Sequence, residues 1–182
     1  MSKLFPRHAQ AVVVGGGIVG CSVAYHLAKL GLSDVVLIER ETLTSGTTWH
    51  AAGVVGSLRA SVFLTHLTVA ACHLFPSLER ETGQSTGYRR TGGLSIAQTP
   101  ERLEELKRVP SIGVLTGYEA EMLTPREIKE KSPNLHVDDL AGGVWIPMDG
   151  QTNPTDTTMA FSKGARLQGA QIFEHTEALA LH

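Results

Sequence analysis

Residues 11–20 read AVVVGGGIVG, and this decapeptide restricts the fold more than any other stretch of the chain. Ala11, Val12, Val13 and Val14 form a short apolar run rich in β-branching, the mark of a buried strand. Gly15, Gly17 and Gly20 follow at G-x-G-x-x-G spacing, and a helix-like pattern starts at once. Each glycine has a physical task. Gly15 allows a tight turn, and Gly17 offers no Cβ to keep a pyrophosphate off the backbone. Gly20 lets the helix lie close to the strand, with its N-terminal N–H groups and positive dipole end aimed at the phosphates. In a chain with 19 glycines the hexapeptide alone is weak evidence, so its flanks decide its meaning.

After the turn, Val19, Val23, Leu27 and Leu30 recur at helical spacing, and Ala24 is small where close helix-to-strand packing needs it. Gly31 supplies the helix stop. DVVLIE over residues 34–39 then reads as a second buried strand ending in an acid. Glu39 lies 19 residues beyond Gly20, where a dinucleotide fold places the carboxylate that binds the adenosine ribose hydroxyls. A carboxylate there suits a ribose without a 2′-phosphate and disfavours NADP. The plainer alternative is a solvated strand end followed by Arg40. The glycines upstream at the right distance favour the ribose reading.

Residues 42–53, TLTSGTTWHAAG, are rich in small and hydroxyl side chains around one Trp-His pair. Ser45, Gly46, Thr47 and Thr48 have the backbone N–H groups and hydroxyls to wrap a phosphate or a ring edge. A plain loop ending in a helix cap has similar composition. Trp49 and His50 followed by Ala51, Ala52 and Gly53 are harder to explain that way, because the small residues clear space beside an imidazole.

Further along, Phe63, Leu67, Ala70, Leu74 and Leu78 predict a long amphipathic helix over residues 61–81, bent at Pro76. His66 and His73 stand seven residues apart on it but have no carboxylate or cysteine partner nearby, which makes a poor metal site. Residues 91–97 read as a strand and 100–108 as a short charged helix. The stretch 109–121 is ambiguous, since Pro110, Gly113 and Gly117 interrupt any period. Thr124-Pro125 opens another helix, closed by Ser132-Pro133. Residues 141–146 predict a strand and 147–150 a hairpin turn. Asn153-Pro154 starts a helix to about Gln168, and residues 171–181 read as a final strand. The expected fold is α/β: a Rossmann-like parallel sheet begun by the two strands around the glycine turn, with the middle strands inserted into it. A strand as the last element suggests one domain, residues 1–182, that breaks off before completion.

Composition narrows the function classes. The 182 residues are 42% hydrophobic and 19% charged, ordinary for a globular protein. A formal net charge of −2 gives no electrostatic reason to expect nucleic acid or an anionic membrane as partner. No apolar run approaches the ~20 residues of a spanning helix, and the N-terminus lacks the apolar core of a secretory signal. Cys21 and Cys72 form no CxxC pair, which fits a reducing compartment without a disulfide framework. A bacterial cytoplasm, or the mitochondrial matrix in a eukaryote, is the expected location.

With these residues in place, the chain resembles the N-terminal part of the dimethylglycine dehydrogenase and sarcosine dehydrogenase family, flavoproteins of the D-amino-acid oxidase-like superfamily. The likeness runs from the glycine turn through SVAYHLAKLG, DVVLIER, LTSGTTWHAAG, GGLSIAQTPERLEELKR, LTPREI, VDDLAGGVWIPMDG and GAQI. TSGTTWHAAG is its most specific piece, and the resemblance implies that His50 carries FAD covalently through the flavin 8α position. It further implies that Gly15, Gly17, Ile18, Val19 and Gly20 form the pyrophosphate turn. Glu39 and Arg40 would contact ribose and adenine, and Gly46 to Val54 would pass along the flavin. The chemistry implied is oxidation of an N-methyl amine, with oxygen or an electron-transfer flavoprotein as acceptor. Tetrahydrofolate would act only in a longer parent. No catalytic acid or base and no metal ligand is identified in these 182 residues, which alone are expected to be inactive.

Two other classes compete. A non-catalytic paralogue, like the regulatory subunit of pyruvate dehydrogenase phosphatase, would look similar over this region but need not keep Trp49-His50. A free-standing NAD-dependent Rossmann enzyme would continue directly into the next strand and helix, where TSGTTWHAAG stands instead. Arg59, after the histidine loop, is either a ligand for a substrate carboxylate or an ordinary surface arginine.

Overall fold

A computed structural model describes residues 5–180. The chain divides into two compact units, the first built from residues 1–53, 75–88 and 152–182, the second from 54–74 and 89–151.

In the first unit, β1 (Ala11–Val14), β2 (Val35–Ile38) and β8 (Gln171–Phe173) form a parallel sheet in the order β1-β2-β8. All four residues of β2 are buried, as expected for the central strand of a covered parallel sheet. Helix α1 (Ile18–Lys29) connects β1 to β2 and packs on α6 (Pro154–Leu167). At their crossing the Tyr25 and Phe161 rings lie 5.5 Å apart. Gly164 gives the room for this, since a Cβ there would come within 2.7 Å of the Tyr25 ring. The Tyr25 hydroxyl donates to Glu81 Oε2 at 2.8 Å, and Lys29 Nζ donates to both groups. That triad ties α1 to the end of α2 (Val62–Thr82).

The second unit holds the inserted strands. There β4 (Gly93–Ala97), β6 (Gly142–Ile146) and β5 (Glu121–Leu123) form an antiparallel sheet in the order β4-β6-β5. A separate pair joins β3 (Val54–Val55) to β7 (Gly150–Gln151). Helices α3 (Pro100–Leu106) and α4 (Arg108–Thr116) follow β4, and α5 (Pro125–Lys131) follows β5. Leu106 and Val144 centre one apolar cluster, and Leu123, Ile128 and Leu140 another.

Three readings of the sequence are corrected. The ambiguous stretch 109–121 is helical as far as Thr116, because Pro110 falls in the first turn, where its missing N–H costs nothing, and it enters β5 at Glu121. The last strand ends at Phe173 rather than continuing to 181, a span whose final residue lies outside the described residues. Past Phe173 the chain leaves β2, and the N–H groups of His175 and Thr176 donate to the carbonyls of Glu41 and Glu39. By length and composition, α2 is apolar enough to be a candidate membrane span. Its buried residues Thr65, Val69, Cys72, Phe75 and Leu78 recur every three or four positions, the stripe of an amphipathic helix covering a core.

Candidate functional site

The site is built where β1 ends. Gly15 has φ +109°, a left-handed conformation open to glycine at little cost, and its N–H donates to the Ile38 carbonyl at 2.8 Å. Gly20 is forced to be glycine by contact, because a Cβ would stand 1.9 Å from the Gly15 carbonyl oxygen. Gly17 is the N-cap of α1 and brings no capping side chain; the first turn carries no acidic residue. The positive end of the helix dipole therefore faces outward, uncancelled by any carboxylate of its own first turn.

Gly16 is a glycine the spacing argument passes over. It is buried, and a Cβ there would meet Leu43 Cδ2 at 2.6 Å and Glu39 Cβ at 2.9 Å. Its N–H donates to Glu39 Oε2 at 2.6 Å, while the Glu41 N–H donates to Oε1 at 2.9 Å. Glu39 thus spans the end of β2 and the glycine turn with one carboxylate. Partial burial alone would raise its pKa. The Glu41 and Gly16 N–H groups and the Arg40 charge outweigh that and hold it below the ordinary carboxylate range. The carboxylate keeps acceptor capacity for further donors, since each oxygen accepts about two hydrogen bonds. Arg40 is exposed.

The hydroxyl-rich loop folds back on this turn. Thr48 Oγ1 accepts from the Ile18 N–H at 3.0 Å, capping α1 from a position 30 residues away. The Thr44 N–H donates to the Gly16 carbonyl at 3.1 Å. Thr44 has φ +72°, a strained conformation for a β-branched residue, held by that bond and by burial. Leu43 is fixed from the far end of the chain, where Glu174 Oε1 accepts its N–H at 2.8 Å. Neither Thr44 nor Glu174 carries a signal in the sequence, because both act on backbone groups distant along the chain.

Ser45, Gly46 and Thr47 are exposed at the loop's outer bend. Thr48, Trp49 and His50 form a short 3-10 turn. The Trp49 and His50 rings lie 3.7 Å apart, centroid to centroid, and both are exposed. Among the described residues the His50 imidazole has no hydrogen-bond partner. Ala51 and Ala52 are exposed beside it, and Gly53 turns the chain at φ +76°. A Cβ at Gly53 would come within 2.2 Å of the Thr152 carbonyl. Val54 is the one predicted site residue that falls in the second unit. Cys21, under the turn, is inert. Burial pushes its thiol up to about 12, and its Sγ lies 3.6 Å from the Gly16 carbonyl.

A helix N-terminus with no acidic residue in its first turn, backbone cleared of Cβ atoms at Gly15 and Gly17, and a carboxylate at the end of the second strand suit the pyrophosphate and ribose of a dinucleotide. The profile of the family described as FAD dependent oxidoreductase matches residues 10–182. The chain belongs to that family. Human mitochondrial sarcosine dehydrogenase is 45% identical over 175 residues, covering 96% of the chain and 19% of that protein. The mouse mitochondrial pyruvate dehydrogenase phosphatase regulatory subunit is 40% identical over 178 residues, covering 98% of the chain and 20% of that protein. Among solved structures, L-proline dehydrogenase from P. horikoshii superposes with a TM-score of 0.88 at 31% identity, over 95% of the chain and 46% of its own. The chain thus spans about a fifth of the curated relatives and under half of that solved structure.

Proposed function

We propose that this chain is the FAD-binding N-terminal portion of an enzyme that oxidises an N-methyl amine such as sarcosine or dimethylglycine, with the flavin bound covalently to His50. The observation that carries the reading is the loop carrying Trp49 and His50, anchored on the glycine turn by Thr44 and Thr48. That anchoring holds the imidazole exposed and unbonded beside the residues suited to the dinucleotide. Gly15 to Gly20 would hold the pyrophosphate, and Glu39 would use its spare acceptor capacity on the ribose. FAD, when bound, supplies acceptance of a hydride from the carbon next to the amine nitrogen. The residues of this chain bind, orient and retain that cofactor. The electron acceptor would be oxygen or an electron-transfer flavoprotein, and tetrahydrofolate would enter only through a longer parent. The location in keeping with this is the bacterial cytoplasm or the mitochondrial matrix.

A regulatory, non-catalytic role is the second reading, supported by identity to the phosphatase regulatory subunit over 98% of the chain. The two separate on one measurement. Expressed in the context of its full-length parent, precipitated with acid and washed, the protein should keep flavin fluorescence on the polypeptide, and His50→Ala should lose it while remaining folded. A colourless wild-type protein would favour the regulatory reading.

A further inference from the structure

Two hydrogen bonds fasten the loop carrying Trp49 and His50 to the glycine turn, and they differ in what they leave unused. The Thr44 N–H donates to the Gly16 carbonyl at 3.1 Å, backbone to backbone. Thr48 Oγ1 only accepts, from the Ile18 N–H at 3.0 Å. Among the described residues its hydroxyl hydrogen meets no acceptor, although Thr48 is only 8% exposed. A hydroxyl both donates and accepts, and buried polar groups are ordinarily bonded. This one keeps its donor free.

That free donor lies at the phosphate end of the site. A Cβ on Gly17 would stand 3.0 Å from Thr48 Oγ1, so the glycine that clears the backbone for a pyrophosphate also makes room for this hydroxyl. Ile18 opens α1. The N–H groups of Val19 and Gly20 come next in that first turn, where the helix itself supplies no acceptor. A phosphoryl oxygen drawn to those N–H groups arrives beside the Thr48 hydroxyl. Thr48 is also the first residue of the 3-10 turn that ends at His50. The turn is bonded internally, with the His50 N–H donating to the Thr47 carbonyl and the Ala51 N–H to that of Thr48, both at 3.2 Å. The Trp49 and His50 rings lie 3.7 Å apart. A constraint on the Thr48 side chain therefore reaches both rings.

We propose that Thr48 is a positioning residue that couples a phosphoryl group seated on α1 to the placement of His50. Thr48 accepts from the Ile18 N–H and donates to the phosphoryl oxygen. The two bonds together bridge the helix and the 3-10 turn, and they hold the imidazole in one orientation while the flavin is attached. The proposal rests on the reading of His50 as the attachment point for the use the coupling serves.

The test adds ADP, a nucleoside diphosphate without flavin, to the chain and follows the indole N–H resonances of its two tryptophans and the ring C–H resonances of His50. Trp49 and His50 should shift to saturation. Trp145, in the second unit, is the internal reference and should not move. Inorganic pyrophosphate should shift Trp49 in the same direction with lower affinity. Adenosine should leave it unmoved, as should sodium chloride at equal ionic strength. Thr48→Val keeps the side-chain shape and drops the hydroxyl. It should weaken ADP binding by about tenfold, the loss of one charge-assisted hydrogen bond, and abolish the Trp49 shift even at saturation. Thr48→Ser should restore both. The proposal is overturned by no response to ADP, by an equal response to adenosine or chloride, by a Thr48→Val chain that keeps either the affinity or the shift, or by a Thr48→Ser chain that recovers neither. If the valine variant does not fold, the wild-type and serine titrations still decide. Flavin attachment is not read in this experiment. A failed ADP titration therefore leaves the attachment to His50 standing, and a colourless parent protein leaves the coupling through Thr48 standing.

Discussion

At the scale of single residues, the site is decided by where a Cβ fits. Gly20→Ala would gain about 1 kcal/mol of helix propensity. It would also place a methyl 1.9 Å from the backbone oxygen of Gly15, and a carbonyl in a turn cannot swing aside as a flexible side chain does. The overlap should win, with a net loss of about 2 kcal/mol and loss of flavin binding. Gly46→Ala, with nothing within 4 Å, should be neutral; equal denaturation midpoints for the two variants would refute the contact argument. Glu39 makes a pH-dependent contribution. Its carboxyl is held below 4.5 in the folded chain, so its stabilising effect is present above that pH and is lost as pH falls through the lowered value. The urea midpoint of wild type should fall more steeply than that of Glu39→Gln as pH drops below 4.5; parallel profiles would count against the bonds to Gly16 and Glu41. The glycine turn and the acid at the end of β2 were legible because the tight turn and the strand that follows its helix fall at fixed spacings in sequence. The helix-capping role of Thr48 and the part played by Glu174 were not, because a hydroxyl or carboxylate that caps a backbone group 30 or 131 residues away leaves no period behind.

At the scale of elements, the strongest local signals predict the elements that form. Thr124 and Glu127 complete a capping box on α5, each side chain accepting from the other's N–H. Thr124→Ala should therefore cost about 1 kcal/mol. Because the two caps are reciprocal, the double variant Thr124→Ala/Glu127→Ala should cost less than the sum of the singles. Strict additivity in chemical denaturation would argue against the box. Helix α4 escaped prediction for the opposite reason. Three breakers crowd its sequence, but only tertiary structure shows what each does. Pro110 lies in the first turn and Gly117 takes the left-handed C-cap at φ +76°. Gly113 lets the chain close on itself, since a Cβ there would lie 2.4 Å from the Tyr118 carbonyl. Strand β8 was overread because apolar residues resume at Ala178 and Leu179, whereas its pairing partner β2 ends at Ile38.

At the scale of the molecule, parallel and antiparallel sheets lie in separate units, and the parallel strands β1 and β2 are joined through a helix, as parallel pairing requires. The parallel sheet has an open side. Among the described residues strand β1 pairs only with β2, and Val12 and Val14, alternate residues on one face of it, are 58% and 60% exposed. On α1, Val19 and Val23, one turn apart, are exposed as well. An edge strand presenting unpaired backbone groups beside apolar side chains is a template for another strand, and it lacks the lysine, proline or bulge that usually blunts such an edge. The 182-residue chain should therefore self-associate reversibly, its weight-average sedimentation coefficient rising with concentration. Val12→Lys/Val14→Lys should suppress the rise without altering the far-ultraviolet circular dichroism, because neither side chain belongs to the core. Association undiminished in that double variant would move the contact elsewhere, with the exposed Phe63 and Leu67 of α2 the next surface to substitute.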